Sequence, residues 1–167
     1  MDIKEVVEHI ESSDEFKKFI AENPDNYLVH LFSMMDAEHK DDWQVGYYSK
    51  KSDKITVLEF NDKKITVMPA EEAFKEKNYI APLNLDQVKI TQDQAMDSVQ
   101  KILKENYSAE SLAKIIVLLQ NLPEFKQIWN MTVITPTFNV INVKVNAITG
   151  EVIKHSKESL IGWNKKD

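Results

Sequence analysis

Cysteine and arginine are both absent from the 167 residues, and glycine occurs only three times and proline five. Without a thiol there is no disulfide framework, no thiolate nucleophile and no zinc-thiolate or iron-sulfur site. Without arginine all 21 basic residues are lysines, spread among 27 carboxylates to give a net charge of -6. A protein that grips nucleic acid wants a basic stripe and the bidentate guanidinium, so nucleic acid is excluded as a partner. Gly46, Gly150 and Gly162 lie too far apart to form a glycine-rich phosphate cradle. Long apolar runs are missing too. The longest, from Ile115 to Leu119, falls far short of the roughly 20 residues that cross a bilayer as a helix, so no membrane partner is expected. Met1-Asp2-Ile3-Lys4-Glu5 lacks a basic region leading into an apolar stretch, and the default expectation is a cytoplasmic location.

What remains is a globular composition, 43% hydrophobic and 29% charged, with a marked order along the chain. Ile3, Val6, Val7 and Ile10 fall at helical spacing. Ser12 and Glu15 suggest a capping box for a second helix carrying Phe16, Phe19 and Ile20, which Asn23-Pro24 ends. Tyr27, Leu28, Leu31, Met34 and Met35 predict a third helix over 25–38. From Trp43 the period changes to two: Trp43, Val45 and Tyr47 alternate with Gln44, Gly46 and Tyr48, and further strands follow over 54–60 and 64–68. A short helix is expected over 70–77. The pattern then restarts. Thr91 and Gln94 suggest a capping box before a helix with Ala95, Val99, Ile102 and Leu103. Another helix, with Leu112, Ile115, Ile116 and Leu119, should run from Ser108 to Leu122, followed by strands over 127–134, 138–146 and 151–155.

Trp43-Gln44-Val45 and Trp129-Asn130-Met131 open the two meanders, and Phe60-Asn61 corresponds to Val145-Asn146. A tandem duplication follows from that agreement. The expected fold class is α+β, with two related helix-then-antiparallel-meander units whose helices pack on one face of the sheet. The units span residues 1–80 and 91–167, with 81–90 as a linker.

The stretch from Ile141 through Asn146-Ala147-Ile148-Thr149-Gly150-Glu151-Val152 resembles the end of the PepSY domain, named for peptidase propeptides and a spore protein. In that family an alternating strand, a turn with Thr-Gly and a returning strand follow a helix and a tryptophan-led strand. Residues 91–156 match this order, whereas Asn61-Asp62-Lys63-Lys64 in the first half lacks the glycine and Asn146 replaces the usual aspartate. The resemblance implies a binding or regulatory module, and by extension an inhibitor of a peptidase. The motif itself is structural: glycine suits a positive φ, and Asn146 and Thr149 can bond the local backbone.

No arrangement of residues points firmly to catalysis. Ser33, Ser98 and Ser111 fall within expected helices, outside any Gly-x-Ser-x-Gly turn. The best cluster for a metal is Asp36, Glu38, His39, Asp41 and Asp42, equally well explained as a solvated acidic turn. A non-catalytic module that binds a protein or peptide is therefore the expected function, with no cofactor and no metal. The alternative is a small hydrolase or metal-dependent enzyme using His39 and the nearby carboxylates. On the first reading Tyr47, Tyr48 and Phe138 are the candidate contact residues, while Trp43, Trp129, Asn146 and Gly150 are structural. Tyr48, out of phase with Trp43 and Tyr47, should point away from the core. The sequence assigns no oligomeric state.

Overall fold

Helices form where a cap and a single apolar stripe coincide. The structure is a computed structural model that describes residues 2–38, 41–73 and 80–160. Helix α1, Ile3–Glu11, buries Ile3, Val6, Val7 and Ile10, and the Glu5 carboxylate accepts the Asp2 N–H at 3.2 Å. Helix α2, Asp14–Glu22, is capped by Ser13, one residue later than expected, whose Oγ accepts the Phe16 N–H at 3.1 Å. Helix α3, Gln92–Asn106, has the expected box: the Thr91 Oγ1 accepts from the Gln94 N–H at 3.1 Å, and the Gln94 side chain accepts from the Thr91 N–H at 2.9 Å. Both bonds satisfy donors that a helix start leaves free.

The strands are β1 Tyr27–Met35, β2 Trp43–Ser49, β3 Lys54–Asn61, β4 Lys64–Val67, β5 Glu71–Glu72, β6 Lys114–Leu122, β7 Lys126–Ile134, β8 Asn139–Asn146 and β9 Val152–Ser159. All join one antiparallel sheet in the order β4-β3-β2-β1-β6-β7-β8-β9, with β5 paired to β3. The fold is α+β, and the helices pack their stripes on one sheet face. A single core joins Val6, Ile10, Val99 and Leu103 to Leu31, Val45, Leu58, Val117, Met131 and Val143. Residues 81–90 belong to the same body. Leu83 and Val88 are buried in that core, and the Lys89 and Ile90 N–H groups both donate to the Ala147 carbonyl at 2.9 Å.

Two expected helices are strands. The segment 25–38 contains β1, and the segment 108–122 contains β6, because both lie mid-sheet and carry apolar side chains on either side. A β-bulge between Leu28 and His30 puts Leu28 and Leu31 on the same face, imitating the helical i, i+3 spacing. Ile115 and Leu119, four apart, share a face at either period, so they never discriminated. In the segment 70–77, Glu71 and Glu72 bridge to Ile55 and Lys54, whereas 74–79 lie outside the described residues. The two carboxylates therefore start no helix.

Register relates the two halves closely. Shifting by the 86 positions from Trp43 to Trp129 moves Leu31 to Val117 and Ser33 to Leu119. The pair Leu31 with Leu119 thus exchanges with Ser33 and Val117, about a pivot at Phe32 and Leu118. Trp43 pairs with Phe60 and Phe60 with Ile65; Trp129 pairs with Val145 and Val145 with Val152.

Two glycines are required by geometry. Gly150 has a φ of +84°, and the Asn146 Oδ1 accepts the Ile148 and Thr149 N–H groups at 2.8 and 3.1 Å. A Cβ on Gly150 would also lie 3.2 Å from Ile90 Cδ1. On β2, Gly46 gives room to His30: a Cβ there would meet the ring at 2.2 Å. Burial lowers the His30 imidazole to a pKa of about 4.

Gly150→Val should destabilise the protein by about 1 kcal/mol or more, read as a lower melting midpoint; an unchanged midpoint would contradict the turn geometry. His30 sets a pH dependence. Its folded pKa lies below the unfolded value of about 6.5, so the unfolded chain binds the extra proton and stability falls as pH drops from about 6.5 to about 4, by roughly 3 kcal/mol. Asp25 and Glu110, whose carboxyls are lowered by Ser49 and Lys157 respectively, act at lower pH. Denaturant melts of the parent and His30→Gln should differ by that slope, and an NMR titration placing His30 near 6.5 would refute it.

Candidate functional site

The sheet face turned away from the helices is assembled from every second residue of the strands. Its middle row runs Thr66, Glu59, Gln44, Phe32, Leu118, Asn130, Lys144 and Lys154, each paired to the next. A neighbouring row holds Met34, Ile116, Thr132, Asn142 and Ser156. Whereas Leu31, Val45, Val117, Met131 and Val143 on the helix side are fully buried, Phe32, Ile116 and Leu118 are half-buried and Met34 is 44% exposed. The open face therefore has an apolar centre on β1 and β6, with amides on β2 and β7 beside it. Such a centre with a polar surround is the usual makeup of a contact patch.

Charge is divided unevenly over this face. Glu59 stands two strands from Phe32 on one flank, and Lys144 stands two strands from Leu118 on the other. The second flank is also tied together. The Asn142 Nδ2 donates to the Asn130 Oδ1 at 2.7 Å and the Thr132 Oγ1 at 3.0 Å, and the Lys144 Nζ donates to the Asn142 Oδ1 at 2.6 Å.

The aromatic candidates are distributed differently from expectation. Tyr48 does face away from Trp43 and Tyr47, yet it is only 3% exposed: Tyr27 meets its ring edge-on at 5.7 Å and Asp53 accepts its hydroxyl at 2.5 Å. Tyr47 is buried against Phe16 and Phe19, its hydroxyl donates to the Glu11 carboxylate at 3.0 Å, and burial raises its pKa. Neither tyrosine offers its ring to solvent, so contact surface must come from elsewhere. Phe138, 60% exposed at a φ of +62°, tops the turn between β7 and β8. Trp43 and Trp129 are buried in the core, the latter donating its indole N–H to the Ile90 carbonyl at 2.9 Å. The centre formed by Phe32, Met34, Ile116 and Leu118 was missed because the segments containing it read as helices. Correct strand phases would have revealed it.

Groups with chemical potential are dispersed or engaged. His39 lies outside the described residues, and of its neighbours Asp36 accepts the Glu38 N–H at 2.8 Å in a local turn. Among the described residues no three of His, Asp and Glu converge in a way that would hold a metal ion. His9 packs edge-on against Phe60, and the His155 Nδ1 meets the Tyr107 hydroxyl at 2.8 Å. Ser33 lies in a strand and Ser111 outside any helix; the buried Ser33 hydroxyl donates to the Asp42 carbonyl at 2.6 Å. A cleft of about 800 Å³ opens between the starts of α1 and α3, lined by Ile3, Met35, Thr91, Met96 and Ile115 with carboxylates at its rim. Among the described residues it presents no nucleophile beside a base.

No family model and no curated protein matches the chain. Among solved structures the chain resembles a protein from Clostridium difficile 630 described as a "putative lipoprotein", with a TM-score of 0.57 over 87% of this chain and 91% of that one. At 18% sequence identity the likeness is one of fold.

Proposed function

We propose that the chain is a non-catalytic binding module of PepSY type that holds a protein or peptide against the open face of its sheet. The observation that carries this reading is the apolar centre at Phe32, Met34, Ile116 and Leu118, covered by no helix among the described residues and flanked by amides. Apolar side chains left half-buried in the middle of a wide sheet lose contacts that a partner restores.

The PepSY assignment and the two-unit organisation belong to the same reading. It is supported by the shared register about the Phe32 and Leu118 pivot and by the matching tryptophan pairs on β2 and β7. The turn from Asn146 to Glu151, with Gly150 at positive φ, has the local bonds that the family's Thr-Gly pattern implies. In this account residues 1–80 and 91–167 are two units fused edge to edge, and 81–90 connects them.

The test is capture of partners from the native cell lysate with the parent, Met34→Asp and His39→Ala, each first checked for a parental melting midpoint. Met34 is chosen because its exposure allows substitution with little effect on folding. A protein retained by the parent and His39→Ala but lost with Met34→Asp is the expected result. Retention indifferent to Met34→Asp, or turnover of ester, phosphate or peptide substrates abolished by His39→Ala, would refute the reading.

A further inference from the structure

Lys144 on β8 and Lys154 on β9 stand directly opposite each other on the open face. Like charges in facing positions of an antiparallel pair repel. Among the described residues neither ammonium lies within ion-pairing distance of a carboxylate. The other side of β9 is treated differently, since Lys157 pairs with Glu110 at 2.9 Å.

A lysine on an edge strand commonly guards against edge-to-edge association, and that accounts for Lys154. It does not account for Lys144. That residue lies on β8, paired on both sides, and its ammonium is held by the Asn142 amide, which Asn130 and Thr132 fix in turn. Partial burial and the proximity of Lys154 lower the Lys144 ammonium below the usual lysine range. An anion between the two lysines would relieve the repulsion and use donors that now face solvent.

Resting on the binding role proposed above, we infer that Lys144 and Lys154 form an anion subsite that takes a carboxylate from an acidic segment of the protein partner. The position of the subsite specifies that segment. Leu118, Asn130 and Lys144 are successive cross-strand neighbours, so the cation pair lies about 10 Å from the apolar centre. An extended chain covers that distance in about three residues. Glu59 occupies the corresponding place on the opposite flank and repels a carboxylate, which fixes the direction in which the segment lies.

The experiment uses an array of extended peptides in which one large apolar residue and one glutamate are set at varying separations. Each peptide has a glutamine-for-glutamate counterpart. The array is probed with the full chain, Met34→Asp, Lys154→Gln, and the double variant Lys144→Gln with Lys154→Gln. Glutamate peptides with a separation of about three residues should be retained about tenfold better than their glutamine counterparts. The double variant should lose that preference and keep its dependence on the apolar residue. Lys154→Gln leaves the amide network intact, so it reports on the subsite even if the double variant does not fold.

Failure would be distinguishable at two levels. Peptides whose retention needs Met34 but shows no glutamate preference, or a preference that both lysine variants keep, would overturn the anion subsite and leave the binding face standing. No retention dependent on Met34 would overturn both. Inorganic phosphate that displaces glutamate and glutamine peptides alike, with no favoured separation, would mark a site for free anions and overturn the acidic-segment assignment.

Discussion

The antiparallel pairing of β1 with β6 is the constraint from which the rest of the architecture follows. By joining two meanders at their first strands it turns what would be two edges into the middle of one sheet. Both strands then need apolar residues on both faces, one set for the helix layer and one for the sheet's centre. The helix stripes are sufficient for the first set only. Phe32 and Leu118 at the pivot belong to the second, which is how a mid-sheet pairing leaves an apolar surface on the side where, among the described residues, no helix lies.

Legibility from sequence tracked position in the sheet. The three helices were readable because each has a cap and one stripe, β2 and β8 because one face is apolar and the other polar, or nearly so, and β3 because it is rich in β-branched and aromatic residues. β1 and β6 were not readable: two apolar faces abolish the alternation, the bulge in β1 mimics helical spacing, and residues four apart satisfy both periods. The same limitation hid the centre of the candidate site. Tyr48 illustrates a second limit. Its phase was correctly inferred, but periodicity tells which side a ring faces and not whether Tyr27 and Asp53 enclose it. The Asn146 to Glu151 turn, by contrast, depends on neighbours in sequence and was legible residue by residue.

The two halves share a ladder but not a chemistry. Where the first half sets Gln44, Gly46 and Glu59 on the open face, the second sets Asn130, Thr132 and Lys144. Gly46 leaves space that the His30 ring fills, whereas Thr132 supplies a hydroxyl to an amide network. Equivalent backbone positions thus serve packing in one half and polar ordering in the other. A nearly symmetric sheet thereby acquires ends that differ in charge.

The seam also orders events in time. Its partners, such as Leu31 and Leu119, lie nearly ninety positions apart, so closing it costs more chain entropy than any hairpin on either side. During synthesis β1 is made long before β6, and until β6 emerges it is a strand with an unpaired apolar border. The nascent first half is therefore the stage at which that border is open to pairing with another copy.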